Sequence, residues 1–377
     1  IAIINLTAGG ISGGYKKYLL NIIPRMANNV NVESILCASP ANLKVQNWFE
    51  PYHNIKFVSC LPFRLSGHND LSLKQALEDF MPEVIFIPTG RYLSFKKVPV
   101  VNMVQNMLPM VSISNNTMHE RLRNYIQRHV AKRAVKKSQR VIAISNYVKE
   151  YISNEWDIPS NRIGLVYHGI SLTAGKEAKK ADTIPKEWGT MFLFTAGSID
   201  PYRGLEDIFL AMKLLSEQNI DIRLVVAGDV RPAMLGYWKR LKDMIQKLNI
   251  SSNVYWTGKL CEKEMLWCYQ NCQAFIMSSR VEACPNIVLE SLSNGCISIS
   301  ANNPPLPEFY GDTAIYYTSN DEKSLTEALL HILNIGEGQR RTMSEKARQR
   351  ASKYSWDKTV ERTITELKEA ISCAAQN

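Results

Sequence analysis

The sequence predicts an α/β chain of two doubly wound units that face a cleft, and three observations carry this. Short apolar runs rich in β-branched residues alternate with helical patterns along the whole chain, as parallel sheets with crossover helices require. At 377 residues the chain exceeds one ordinary core and suits two domains. Between them the stretch ISLTAGKEAKKADTIPKEW, residues 170–188, turns polar, Lys-rich and free of periodic apolar positions, which is linker composition.

Taken in order, the first unit reads as strands in IAIINL, VESILCA, KFVSCL, EVIFIP, VVNMV, RVIAIS and RIGLVYHG. Its helical patterns cover 14–26, 72–80, the basic stretch 121–140 and 146–154. The second unit has strands in MFLFTAG, IRLVVAG, NVYWTG, CQAFIMS, CISISA and AIYYT, with helices over 204–218, 232–248, 287–295 and 323–333. The expected division is 1–180, 181–355 and a closing helical segment, 356–377, whose apolar and charged residues recur at helical spacing. That segment suits a cap on either unit and is assigned to the first. No fixed-period repeat is visible, which argues against a solenoid.

Composition is that of a soluble globular protein, 45% hydrophobic, and no apolar run approaches the ~18 residues needed to cross a bilayer. The chain opens on IAIINL without a basic flank and small-residue cleavage site, so no secretory signal is expected there. The eight cysteines show no C-x-x-C pair and read as buried thiols in a reducing cytoplasm. Cys268 and Cys272 fall on one face of an expected helix, but no second pair or histidine completes a zinc site, so no metal is expected.

A formal charge of +10 favours anionic partners, and much of it lies in RLRNYIQRHVAKRAVKKSQR, residues 121–140. There Arg121, Arg123, Arg128, Lys132, Arg133, Lys136, Lys137 and Arg140 accompany Leu122, Tyr125, Ile126, Val130 and Val135. Such a helix suits an anionic membrane surface, and it equally suits a solvated face on a helix packed against a sheet. Nucleic acid is disfavoured, because no zinc finger, helix-turn-helix or single-strand stacking platform accompanies the charge.

Three strand-to-helix turns could carry chemistry. In TAGGISGGYKKYLL, Gly9, Gly10, Gly13 and Gly14 let a ligand approach the backbone at a helix start, although a plain tight turn explains them as well. In FTAGSIDPYRGLEDI, Arg203 stands just before Gly204 at a helix start, where a guanidinium can grip a diphosphate, or can simply face solvent. The third, SSRVEACPNIVLESLSNG, sets Glu282 and Glu290 either side of seven residues. Pro285 and Asn286 mark the helix start, whose amides attract phosphates. Glu290 falls about one turn inside, where a carboxylate can accept two hydrogen bonds from a ribose diol. By spacing alone, two solvated glutamates beside an ordinary helix start remain the plain alternative.

Together these features make the chain resemble the retaining GT-B glycosyltransferases, specifically glycosyltransferase family 4. The resemblance covers nearly the whole chain. It rests on the first glycine-rich turn, RVIAISNYVKEYI, NRIGLVYHGIS, AGSIDPYRGLEDI, RLVVAGD, NVYWTG and SSRVEACPNIVLESLSNGCISISANNPPLPE, taken in order and spacing. MVQNMLP and EACPNI place it nearest the branch that builds bacterial surface polysaccharides.

The resemblance implies a GT-B fold of two Rossmann-like domains, with acceptor on the first and nucleotide-sugar donor on the second. It assigns Glu282 to the donor sugar and Glu290 to the ribose, with backbone amides over Ala283, Cys284, Pro285, Asn286 and Ile287. Arg203 beside Gly204 takes the lysine position of the family's diphosphate-binding pair, whereas the usual arginine is replaced by Ser198. Gly13 and Gly14 join the donor-binding set. A second departure is Gln105-Asn106, where many relatives carry His-Asp. Neutral amides can bond a sugar but cannot act as a base. His168 is a third candidate contact, and His119 is weighed beside it.

The implied reaction is transfer of a hexose from a nucleoside diphosphate sugar, with UDP- and GDP-sugars the candidate donors, to a saccharide or lipid-linked saccharide, with retention. It needs no metal or other cofactor, and it suits a cytoplasmic protein peripheral to the inner membrane face. Ser198 and Gln105-Asn106 keep open a non-catalytic nucleotide-sugar or glycan binder. A sugar phosphorylase is disfavoured, because no lysine lies in a visible pyridoxal phosphate setting.

Overall fold

The computed structural model describes residues 1–8, 10–65, 70–111, 118–171 and 177–376, with the side chain of His119 excepted. Gly9, residues 172–176 of the lysine-rich stretch and that side chain therefore lie outside the described residues. The chain divides into two units, 1–169 with 355–377 and 170–354.

In the first unit β1 (Ala2–Ile4), β2 (Ile35–Pro40), β3 (Ile55–Cys60), β4 (Ile85–Ile87), β5 (Val100–Val104), β6 (Arg140–Ala143) and β7 (Ile163–Leu165) form one sheet. All neighbours are parallel, in the order β3-β2-β1-β4-β5-β6-β7. Helices α1 (Gly13–Ala27), α2 (Leu71–Phe80), α3 (Met118–Lys137) and α4 (Asn146–Trp156) connect them. The first, second and fourth begin where Ser12, Asp70 and Ser145 accept a first-turn amide.

The second unit repeats the scheme with β8 (Leu193–Ala196), β9 (Leu224–Ala227), β10 (Val254–Gly258), β11 (Ala274–Met277), β12 (Ser298–Ala301) and β13 (Ala314–Tyr317). Their order is β10-β9-β8-β11-β12-β13, again all parallel. Its helices are α5 (Leu205–Glu217), α6 (Leu235–Lys247), α7 (Glu262–Asn271), α8 (Asn286–Ser293), α9 (Leu306–Tyr310), α10 (Glu322–Asn334) and α11 (Glu337–Ala351). In each sheet the order reverses beside the first strand, between β1 and β4 and between β8 and β11. At such a switch point the outgoing loops diverge and leave a crevice past the strands' carboxyl ends.

A last helix, α12 (Trp356–Ala375), belongs to the first unit and packs on α1, β5 and β6. Trp356, Val360, Thr363, Ile364, Leu367 and Ala370 form its buried stripe. Trp356 is almost fully enclosed, a burial of about 2 to 3 kcal/mol for a large side chain.

The expected boundary at 180 and 181 is displaced to 169 and 170, and the second crossing falls between 354 and 355. Ile170 N–H donates to Tyr354 O (3.4 Å), and the described part of the lysine-rich stretch, 177–188, lies on the second unit. Lys179 N–H bonds Lys263 O (3.1 Å), and Lys180 Nζ stands 5.3 Å from the Trp267 ring. Linker composition misleads here because lysine stems cover apolar surface while their heads stay wet. Another correction concerns cysteines, since Cys261 and Cys373 are exposed and not buried. Cys261 precedes α7 with its amide donating to Glu264 Oε2 (2.8 Å), and a helix end of this kind faces solvent.

Helix α3 also differs along its length. Ala131, Ala134 and Val135 are buried, so the second half packs as a covering helix. In the first half Met118, Leu122, Tyr125 and Ile126 are exposed beside the exposed Arg121 and Arg123. No helix among the described residues is long and apolar enough to cross a membrane.

Candidate active site

The crevice at the β8/β11 switch point is shaped by three glycines. Gly197, after β8, has φ +135°, and Gly228, after β9, has φ +152°. A Cβ on Gly228 would lie 1.7 Å from Gly197 O, so the two turns abut as only glycine allows. Gly204, at φ +63°, starts α5, and a Cβ there would meet Ser278 O at 2.5 Å. The chain after β8 is thereby pressed against the chain after β11. Ser278 Oγ donates to Arg203 O (2.7 Å) and Arg280 N–H donates to Tyr202 O (2.7 Å), which holds the two loops together.

Arg203 is thus folded back over Gly197, into the crevice lined by Ser198, Ser278 and Ser279. Its Nη1 donates to Glu282 Oε1 (2.6 Å) and to Ser279 Oγ (3.1 Å). The side chains are 17% and 13% exposed, so Arg203 is not the solvent-facing arginine of the plain alternative. Burial opposes its charge, but Glu282, then Tyr202 and Asp200, outweigh burial and hold the guanidinium above its usual pKa. Its Nε is buried with no hydrogen-bond partner among the described residues.

Beyond Glu282, the buried Ala283, Cys284 and Pro285 lead into α8. Pro285 is the N-cap and offers no side-chain bond, leaving the first-turn amides of Asn286 and Ile287 at a partly accessible helix start. Asn286 Oδ1 there is buried without a hydrogen-bond partner among the described residues. Glu290 is the fifth residue of α8 and half-buried, and its Oε2 accepts from Tyr269 O–H (3.1 Å). Burial, then the nearby Glu290, raises the Tyr269 phenol well above its usual pKa, so it stays a donor. Nothing in the sequence marked Tyr269, since it lies a helix away.

Arg203, Gly204, Glu282, Glu290 and 283–287 therefore all lie in the second unit at one sheet edge. The other expected site residues are in the first. Gly13 opens α1 after the Ser12 cap, and a Cβ on it would meet nothing within 4 Å, so packing does not demand glycine there. Gly14 follows, exposed. Gln105 Nε2 donates to Pro88 O (3.0 Å), which ties the turn after β5 to that after β4, and Asn106 Oδ1 accepts from Leu108 N–H (3.0 Å). His168 is corrected to a packing residue. It is 3% exposed, with Tyr18 stacked at 4.9 Å and Trp356 at 5.9 Å between ring centres.

Residues that the sequence left unmarked complete the loops. Arg280 Nη2 bonds Asp207 Oδ1 (2.8 Å) and Asn320 Oδ1 (2.7 Å), fixing the chain after β11. Arg231, on the loop after β9, donates to Asp200 on the loop after β8. A cation two residues past a strand's Gly-Asp end is a signal that could have been read.

Known families match this arrangement unit by unit. Glycosyltransferase Family 4 matches residues 12–174, and Glycosyl transferases group 1 matches residues 177–350. The chain belongs to the GT-B glycosyltransferases of family 4. This glycosyltransferase is 22% identical over 343 residues to the O-antigen chain mannosyltransferase RfbU of Salmonella typhimurium, covering 88% of this chain and 90% of that protein. Its fold matches Anabaena HepE, solved with UDP and glucose, at TM-score 0.72 and 15% identity, over 98% of this chain and 99% of that one. It also matches WaaG, a glycosyltransferase involved in lipopolysaccharide biosynthesis, at TM-score 0.71 and 14% identity, over 97% and 99% of the two chains.

Proposed function

We propose that this glycosyltransferase moves a hexose from a nucleoside diphosphate sugar to a saccharide or lipid-linked saccharide in surface polysaccharide synthesis, retaining the anomeric configuration. The observation that carries the reading is the Arg203–Glu282 pair beside the α8 start, at the sheet edge where Rossmann-like folds take nucleotides. RfbU and WaaG support the polysaccharide setting by their names, and the UDP held by HepE supports the donor class.

In this reading Arg203 and the amides of Asn286 and Ile287 face the diphosphate, where negative charge grows as the sugar departs. Glu282, oriented by Arg203, accepts from a sugar hydroxyl, and Glu290 accepts from the ribose diol. The bond from the anomeric carbon to the diphosphate oxygen breaks, and the acceptor oxygen bonds that carbon from the same face. The acceptor's proton passes to the leaving phosphate. No protein base is called for, which accommodates Gln105-Asn106, and neither a metal nor another cofactor is invoked.

The exposed apolar and basic first half of α3 supports peripheral contact with an anionic inner membrane surface. Flotation with vesicles of anionic against neutral lipid tests it, and equal recovery with both ends that part of the reading.

Thermal unfolding against a panel of nucleoside diphosphates and their sugars tests the donor site, since selective binding raises the midpoint. The expected result is a shift with one nucleotide family. Proton spectra of the product then report the anomeric configuration, and activity should persist in chelator. A shift without product under any acceptor supports instead a non-catalytic binder, the alternative that Ser198 in the diphosphate turn favours.

A further inference from the structure

A nucleoside diphosphate carries two or more negative charges past one sheet edge, yet among the described residues lining the crevice there is a single guanidinium, that of Arg203, already paired. Ser198, on the turn after β8, brings a hydroxyl placed 3.3 Å from Tyr202 Oη. Arg280 is engaged by Asp207 and Asn320. Of the arginines described on the loops after β8, β9 and β11, that leaves Arg231.

Its setting is built. Asp200, on the β8 loop, is nearly enclosed, its side chain 4% exposed, and it holds Arg231 Nη2 from the β9 loop. The two loops are fastened by Ile199 N–H to Asp229 O (3.2 Å) and by the Gly197–Gly228 contact. The Arg231 side chain nevertheless remains 56% exposed. A guanidinium has five donors in a planar fork, so one bond to Asp200 orients it and leaves donors for phosphate oxygens. Asp200 also acts on the Arg203 charge, and so stands near both cations.

We propose that Arg231 is a second diphosphate-binding residue, set at the carboxyl edge of β8 and β9 by Asp200. The proposal rests on the donor-site reading above. Arg231 recognises phosphate oxygens, so it contributes to any nucleoside diphosphate and nothing to choice of base or sugar.

Calorimetric titration of the whole protein with UDP and GDP, and with uridine and guanosine, tests it. Arg231→Ala is expected to raise the dissociation constant of the preferred diphosphate about 10-fold or more, the loss of one charged hydrogen-bonding group. Nucleoside affinity stays as in wild type, while the ligand-free unfolding midpoint falls because the enclosed Asp200 loses its partner, so both titrations are run well below that midpoint. Ser198→Arg added to Arg231→Ala is expected to recover diphosphate affinity from the neighbouring turn. Unchanged diphosphate affinity in Arg231→Ala, with wild type binding normally, overturns the proposal and leaves the donor site standing. Equal losses for diphosphate and nucleoside overturn the phosphate role. A wild-type protein that binds neither diphosphate at millimolar concentration overturns both readings.

Discussion

Among the described residues, each unit holds a largely buried arginine–glutamate pair of nearly the same dimensions. Arg140–Glu366 and Arg203–Glu282 both close to 2.6 Å, with side chains 10% and 12% exposed in the first and 17% and 13% in the second. Their surroundings separate them. Arg140 opens β6 at the amino edge of its sheet, where Glu369 (2.7 Å) and Asn161 O (2.8 Å) take its other donors. Gly164 on β7 makes room for Glu366, since a Cβ there would lie 2.0 Å from its carboxyl carbon. Arg203 and Glu282 lie past the carboxyl ends of β8 and β11, where the loops part and Arg203 Nε has no protein partner among the described residues. The same ion pair ties a helix to a sheet at one edge and lines the crevice proposed for the donor at the other. Edge polarity, and not the pair itself, distinguishes scaffold from site.

The sharpest way to break that comparison is Arg140→Ala. It strands Glu366 and should cost about 3 to 5 kcal/mol of stability in a denaturant titration, as for other broken buried pairs. The rate per folded molecule should hold; a lost rate at wild-type stability would place Arg140 in the site. Next, Arg203→Ala should slow transfer by about 100-fold or more, the scale for removing a donor to developing negative charge. Steady-state rates across several sugars check it, and a changed sugar preference at normal rate contradicts the phosphate role. Glu290→Gln should weaken donor binding by about 1 to 3 kcal/mol, the loss of charged hydrogen bonds to the ribose. Calorimetry giving wild-type affinity removes that assignment.

The smallest effect concerns pH. Burial raises the Glu366 carboxyl above 4.5, and the hydrogen bond from Arg140 offsets this only in part. A carboxyl that holds its proton more tightly when folded favours folding at low pH. As pH rises through the unfolded value the unfolded chain ionises first, so this contribution is lost between that value and the raised folded one. The stability difference between wild type and Glu366→Gln should drift against wild type just above pH 4.5 and then level off. Chemical unfolding at several pH values reads the drift, and a constant difference rejects the shift.

Much of the fold was readable because its signals are local. Each β-branched run predicted as a strand contains one, and Ser12, Asp70 and Ser145 start helices where their side chains meet first-turn amides. Helix α11 was not foreseen, because only Ala347 and Ala351 of its fifteen residues are buried and no apolar stripe marks it. Pro285-Asn286 announced the α8 start, and the spacing of Glu282 and Glu290 is visible in the chain. His168 was misjudged because a histidine's polarity is legible and its enclosure by Tyr18 and Trp356 is not.

Periodicity and turn chemistry act over a few residues, so the chain alone specified two α/β units, their strands and the helix start that carries the glutamates. Pairing Arg203 with Glu282 spans 79 residues, and pairing Arg231 with Asp200 spans 31. Those contacts exist because β11 returns beside β8 and β9 runs on its other side. Strand order is a property of the assembled sheet, where burial and hydrogen bonding of whole strands compete, and no local signal encodes it. The tertiary structure therefore decided which charges meet and at which edge.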